Sequence, residues 1–121
     1  MKVDARKILE ENEVACACCS INFVAQEAYS VAKERANKGQ AESPDDILGL
    51  LKHCAEEVVE ATEAYSKDVY DFGQELADVI MCCLIAGKSC HIDMQRELVN
   101  CLKKNIRRVN ETEEASESKK A

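Results

Sequence analysis

Glu75-Leu76-Ala77-Asp78-Val79-Ile80-Met81-Cys82-Cys83-Leu84-Ile85-Ala86-Gly87 is the stretch that decides the fold. From Leu76 to Gly87 only Asp78 is polar. A helix of this composition is apolar nearly all round and belongs at the centre of a bundle. Glu75 and Asp78 open it three residues apart, a spacing that puts both carboxylates on one helix face, one turn apart. Asp78 is therefore expected to be at least partly buried, and an unpaired buried charge is costly.

The segment before it repeats the spacing in Glu56-Glu57-Val58-Val59-Glu60. At about 100° per residue, Glu57 and Glu60 share a face with Leu50, His53, Ala61 and Ala64. That face lies away from the apolar stripe Ile47, Leu51, Cys54, Ala55, Val58, Thr62 and Tyr65, which has a clear helical period. Alone, the Glu57/Glu60 face suits solvent. With Glu75 and Asp78 on the next helix it makes four convergent carboxylates, which repel unless something positive lies between them. Hard divalent ions such as Mg²⁺ take oxygen ligands of this kind. The pattern points to a metal-dependent enzyme acting on phosphates; a Lys or Arg partner for Asp78 is the bland alternative.

Around these motifs the chain reads as four helices. The first is expected from roughly Asp4 to Asn37, broken near Asn12, and ends at Lys38-Gly39, where Gly39 suits a left-handed cap. Ser43-Pro44-Asp45-Asp46 is a helix start, with Ser43 as N-cap and Pro44 as the first helical residue. The second helix runs to about Ser66, and a turn near Lys67 to Asp71 leads to the third, about Phe72 to Ser89. The fourth starts near Asp93, with His91 in the turn before it. It runs to about Val109, with Met94, Leu98, Leu102, Ile106 and Val109 as its expected buried face. Residues 110–121 have no large apolar side chain and read as a disordered charged tail after a helical domain spanning 1–109.

Composition agrees with an all-α chain. One Pro and four Gly in 121 residues, with plentiful Ala, Glu, Leu, Lys and Val, favour helices over strands. The net charge of −7, from 23 acidic and 16 basic residues, excludes general nucleic-acid binding through a basic surface. The longest uncharged run is too short to span a bilayer. The charged N-terminus lacks the apolar segment of a signal peptide, so the eight cysteines read as reduced residues of a cytoplasmic protein. Cys16-Ala17-Cys18-Cys19 lacks the paired knuckles of a zinc site, and Cys82 and Cys83 diverge on their helix.

Glu56-Glu57-x-x-Glu60, fourteen residues, then Glu75-x-x-Asp78 resembles the signature of MazG-like nucleoside triphosphate pyrophosphohydrolases, in the all-α NTP pyrophosphatase superfamily. The similarity runs from about Gln26 through Lys38-Gly39 and Ser43-Pro44 to Asn105-Ile106-Arg107-Arg108, and leaves residues 1–19 outside. It implies an all-α, four-helix MazG-like bundle completed by oligomerisation, as a homodimer or homotetramer. It implies Mg²⁺, with Mn²⁺ as a substitute, held by Glu57, Glu60, Glu75 and Asp78. The implied reaction cleaves a nucleoside triphosphate, ribo or deoxy, between its α and β phosphates, giving the monophosphate and pyrophosphate. Glu56 or Glu63 is the candidate catalytic group that orients or deprotonates water. Lys104, Asn105 and Arg108 resemble the family's phosphate-contacting segment.

Two places depart from that pattern. Relatives often carry a Lys where this chain has Cys101, and aromatic residues where it has Gln40-Ala41. Phe23, Tyr29 and Tyr65 are then the remaining stacking candidates, though each reads first as core packing. Three other readings stand beside the enzyme. A di-iron bundle needs Glu-x-x-His on two helices, which neither motif supplies. A non-catalytic helical interaction protein would leave the acids solvated, and a non-catalytic nucleotide-binding relative would keep the site without the turnover.

Overall fold

The computed structural model describes residues 20–67 and 69–120, with side chains for 20–67 and 71–111. The Cys16, Cys18 and Cys19 cluster and the expected helix start at Asp4 lie outside that range. The described residues form four α-helices and no strand: α1 Ile21–Asn37, α2 Ile47–Lys67, α3 Val69–Ser89 and α4 Met94–Lys120.

Local chemistry sets the ends. Ser20 caps α1, its Oγ accepting from the Phe23 N–H at 3.1 Å. α1 closes in a Schellman turn: Gly39 N–H reaches Ala36 O at 3.0 Å and Gln40 N–H reaches Arg35 O at 2.8 Å. Gly39 sits at φ 71°, the left-handed conformation expected of it. α3 closes the same way through His91 N–H to Lys88 O and Ile92 N–H to Gly87 O. There the left-handed position is His91, at φ 58°. Asp93 caps α4, its Oδ1 accepting from Arg96 N–H at 3.0 Å and from the Asn22 amide of α1 at 2.8 Å.

α2 begins at Ile47 rather than at Pro44. Asp46 is its cap, accepting from Gly49 N–H at 3.2 Å, while Ser43 closes the turn before it. Asp45 is the reason. Its carboxylate takes Lys33 Nζ at 2.6 Å, Tyr29 Oη at 2.7 Å and Ser89 Oγ at 2.9 Å. One side chain thus ties α1, the loop before α2 and the end of α3 together, and that geometry pulls Asp45 out of helical register.

α3 is the hub of the bundle, packed most closely on α2 and next on α1, while α4 meets α1 and α3 more sparingly. Its central place follows from its composition. The seam is built of small residues: Ala25, Cys54, Ala61, Cys82 and Leu84 are the buried hydrophobics, and no large side chain is fully buried among the described residues. At Gly87 an added Cβ would fall on the Met94 side chain, so glycine there lets the start of α4 lie against α3.

The expected inner faces are corrected in two helices. On α2 the side packed on the bundle carries Leu50, Cys54, Glu57, Ala61 and Ala64, while Leu51, Val58 and Tyr65 of the apolar stripe are at least half exposed. On α4, Leu98, Leu102, Ile106 and Val109 are likewise exposed, and only Met94 of the expected face is half-buried. Small side chains permit a closer helix approach than the branched stripe does. Packing therefore chose Cys54 and Ala61 over Leu51 and Val58. α3 also keeps Leu76, Ile80 and Met81 exposed, so it is less enclosed than its composition suggests. α4 continues beyond Val109 to Lys120, where a disordered tail was expected. No Gly or Pro follows Val109 to stop it, and Glu, Ala and Lys are good helix formers.

Candidate metal centre

The rotation of α2 brings its acidic motif inward. Glu57 is half-buried against α3, as is Glu75 on the facing helix. Glu57, Glu60 and Glu75 each present a carboxylate oxygen within 4.8 Å of the others. Glu57 Oε2 and Glu75 Oε2 are shut off from water and have no hydrogen-bond partner. No Lys or Arg pairs with Glu57, Glu60, Glu75 or Asp78 among the described residues. The two orphaned oxygens and the all-oxygen donor set fit a hard divalent cation.

The electrostatics carry the same sign. Burial pushes the Glu57 carboxyl above its ordinary range, and the Glu60 and Asp78 charges add to the rise. Glu75 is raised by burial first, then by Glu60, Asp78 and Asp71. His53 is the side chain nearest the cluster: its Nε2 lies 3.1 Å from Glu57 Oε1 and its Nδ1 lies 3.7 Å from Glu56.

Asp78 departs from expectation. It is exposed, because its side of α3 opens onto a cavity instead of turning into the seam. It stands outside the trio of closest oxygens but lines that cavity with Glu57. The cavity measures about 660 Å³ and is walled by α1's last turns, the loop through Pro44, the first half of α2 and the middle of α3. Glu56 lines it and Glu63 does not. Lys104 and Asn105 are exposed on α4, and neither they nor Arg108 line the cavity.

The cysteines of the seam are packing groups. Cys54, Cys82, Cys83, Cys90 and Cys101 are free thiols. Burial and the neighbouring Cys54 thiol push Cys82 up to about 12, and burial raises Cys54 too. A thiol held protonated is a poor nucleophile and a poor metal ligand. Of the stacking candidates, Tyr29 is held by Asp45 and Tyr65 packs on Phe72 with centroids 5.2 Å apart.

Sequence reasoning missed Arg35 and Lys52, which the cavity wall also contains, and the wall includes Gln40 and Ala41, the pair that stands where MazG-like proteins often carry aromatic residues. Their signal was position: Arg35 lies four residues before Gly39, and Lys52 lies five before Glu57. Comparison with protein-family models, curated proteins and solved structures gives no match to this chain.

Proposed function

We propose that this protein is a Mg²⁺-dependent nucleoside triphosphate pyrophosphohydrolase, converting an NTP or dNTP and water into the monophosphate and pyrophosphate. The observation that carries the reading is the pair of buried, partnerless oxygens, Glu57 Oε2 and Glu75 Oε2, beside Glu60. A protein gains nothing from such repulsion in a fold this thinly packed unless a cation relieves it. Glu57, Glu60 and Glu75 would hold the ion, with Asp78 at the cavity side. What the ion supplies there is positive charge for the phosphates and polarisation of the phosphorus.

The chain's own groups do the rest. Glu56, in the cavity wall, is better placed than Glu63 to take a proton from the attacking water. His53 lies between Glu56 and Glu57, its Nε2 3.1 Å from Glu57 Oε1, where it would help to orient the Glu57 carboxylate. The uncovered apolar stripes of α2 and α4 support a homodimer or homotetramer, since extended apolar faces exposed on a monomer mark association sites. A second copy is also the route by which Lys104, Asn105 and Arg108 would approach the phosphates.

The test is a pyrophosphate-release screen of the standard ribo- and deoxynucleoside triphosphates, with Mg²⁺ and with EDTA. Turnover that EDTA abolishes, and that Glu75→Gln removes without loss of helicity, is the expected result. A folded protein that turns over none of them rejects the enzyme reading and favours the helical interaction protein.

A further inference from the structure

α2 and α4 each turn to solvent an apolar stripe that the chain does not cover. On α4 the stripe begins at Met94, which lies against Gly87 of α3. α4 meets α1 and α3 only sparingly, and Leu102, Ile106 and Val109 are each more than half exposed. On α2, Leu51, Val58, Val59 and Tyr65 are at least half exposed. The two helices do not form a packed pair within the chain. Extended apolar faces of this kind mark association sites, and the charges along their edges say which partner fits.

At about 100° per residue, the α4 edge beside Val99 and Ile106 carries Arg96, Lys103 and Arg107. Glu97, the one acid between Met94 and Val109, falls towards the other edge. The α2 edge beside Val59 carries Glu56 and Glu63, with Glu60 behind them at the carboxylate cluster. Lys52 and Lys67 flank that stretch, one turn outside it at each end. Lys103, Arg107 and Glu63 form no ion pair among the described residues. Helix handedness then fixes what can meet what. Seen from each N-terminus, the basic edge of α4 and the acidic edge of α2 lie on the same side of their stripes. Two such helices laid face to face bring those edges together when antiparallel and separate them when parallel. An antiparallel α4–α4 contact sets basic edge on basic edge, and an antiparallel α2–α2 contact sets acid on acid. Facing like charges suppress such pairings. An antiparallel α2–α4 contact sets Glu56 and Glu63 along the edge of Lys103 and Arg107.

We propose that α2 of one copy and α4 of a second copy pack antiparallel through their apolar stripes, acidic edge on basic edge. In a two-fold dimer the contact is made twice, α2 on α4 and α4 on α2, and the assembly is closed. The apolar stripes supply the attraction, and the charged edges set partner and direction. This rests on the self-association named above and deepens it, by assigning the faces that meet and their orientation. It also clamps the helix that carries Glu57 and Glu60 from two sides, by α3 within the chain and by α4 of the second copy.

Sedimentation equilibrium of the chain tests it, with helicity of every variant read by circular dichroism. Wild type is expected to be a dimer at micromolar concentration. Val58→Asp on α2 and Leu102→Asp on α4 change side chains that are exposed in the single chain. Each is expected to keep the helicity and to raise the dissociation constant more than about tenfold. Lys103→Glu with Arg107→Glu should weaken the dimer, as should Glu56→Lys with Glu63→Lys, and all four changes together should restore it. A monomeric wild type overturns the pairing and the association it rests on. A dimer that is indifferent to Val58→Asp or to Leu102→Asp overturns the pairing and leaves association standing, as does a fourfold variant no tighter than its parents. Pyrophosphate release by the same samples decides the reaction reading separately: a dimer that obeys these substitutions and turns over no nucleotide keeps the pairing and loses the enzyme.

Discussion

Glu57 on α2 and Glu75 on α3 meet across the helix seam, each with its Oε2 cut off from water and from any donor. Elsewhere in the bundle, polar groups are conspicuously well served. Asp45 has three partners and Asp93 has both a helix cap and a side-chain partner. Among the described residues, Glu57 and Glu75 carry the only buried side-chain oxygens without a hydrogen-bond partner.

That pair of buried carboxyls has a pH signature. Both carboxyls have raised pKa values in the folded chain, so the folded state binds their protons more tightly than the unfolded state does. The stability this gives is full below the ordinary 4.5 and is lost as pH rises through the folded values. In EDTA the melting temperature should therefore be higher near pH 4.5 than near pH 7.5. Mg²⁺ should remove the difference by stabilising the charged form. Thermal denaturation followed by circular dichroism at the two pH values checks both statements.

Glu75→Gln keeps the shape and removes one of the repelling charges. Without metal it should melt at a higher temperature than wild type. It should also lose the Mg²⁺-dependent stabilisation, and its pyrophosphohydrolase activity should fall by more than about tenfold, the least that disturbing a metal's surroundings costs. Gain of stability together with loss of function is the signature; a plain destabilisation would speak for a structural role.

Asp45 predicts the opposite acid behaviour. Lys33, then the Tyr29 hydroxyl and the Ser89 hydroxyl, hold its carboxyl down to about 2. A lowered folded pKa contributes stability that is present above the ordinary 3.8 and is lost as pH falls through about 2. Asp45→Ala should lower the melting temperature at pH 7 and flatten the loss of stability between pH 4 and pH 2. Acid titration of both proteins by circular dichroism reads the difference.

His91 predicts a stabilising substitution. It occupies the left-handed position of a Schellman turn at φ 58°, where a side chain costs about 1 kcal/mol that glycine does not. His91→Gly should raise unfolding free energy by about that amount in a urea melt and leave metal binding unchanged. Gly39, in the same position after α1 at φ 71°, should respond in reverse to Gly39→Ala.

Particular residues mark how far the sequence was legible. Gly39 announced the end of α1, and the uncharged run from Val79 announced a central α3. The carboxylate spacing anticipated the convergence of Glu57, Glu60 and Glu75, with Asp78 outside the closest trio. The side of α2 that faces inward was not legible. Periodicity defines the stripe Leu51, Val58 and Tyr65, but it says nothing of what covers it. The smaller Cys54 and Ala61 won the seam through closer packing. For the same reason α4's stripe could be drawn but not given a partner. The start of α2 was misplaced by three residues because Asp45 answers to Tyr29, Lys33 and Ser89, all distant from it in sequence or across a loop. Asp78's exposure depends on a cavity that only the packing of three helices creates.

The central claim is that the α2–α3 carboxylates form a divalent-cation centre, and Mg²⁺ titration of the metal-free protein by isothermal calorimetry tests it most directly. The prediction is saturable binding that disappears in Glu57→Gln and Glu75→Gln and persists in Glu63→Gln, whose carboxylate is not among the converging oxygens of Glu57, Glu60 and Glu75. Absence of saturable binding at millimolar Mg²⁺, or binding that survives loss of both Glu57 and Glu75, would contradict it.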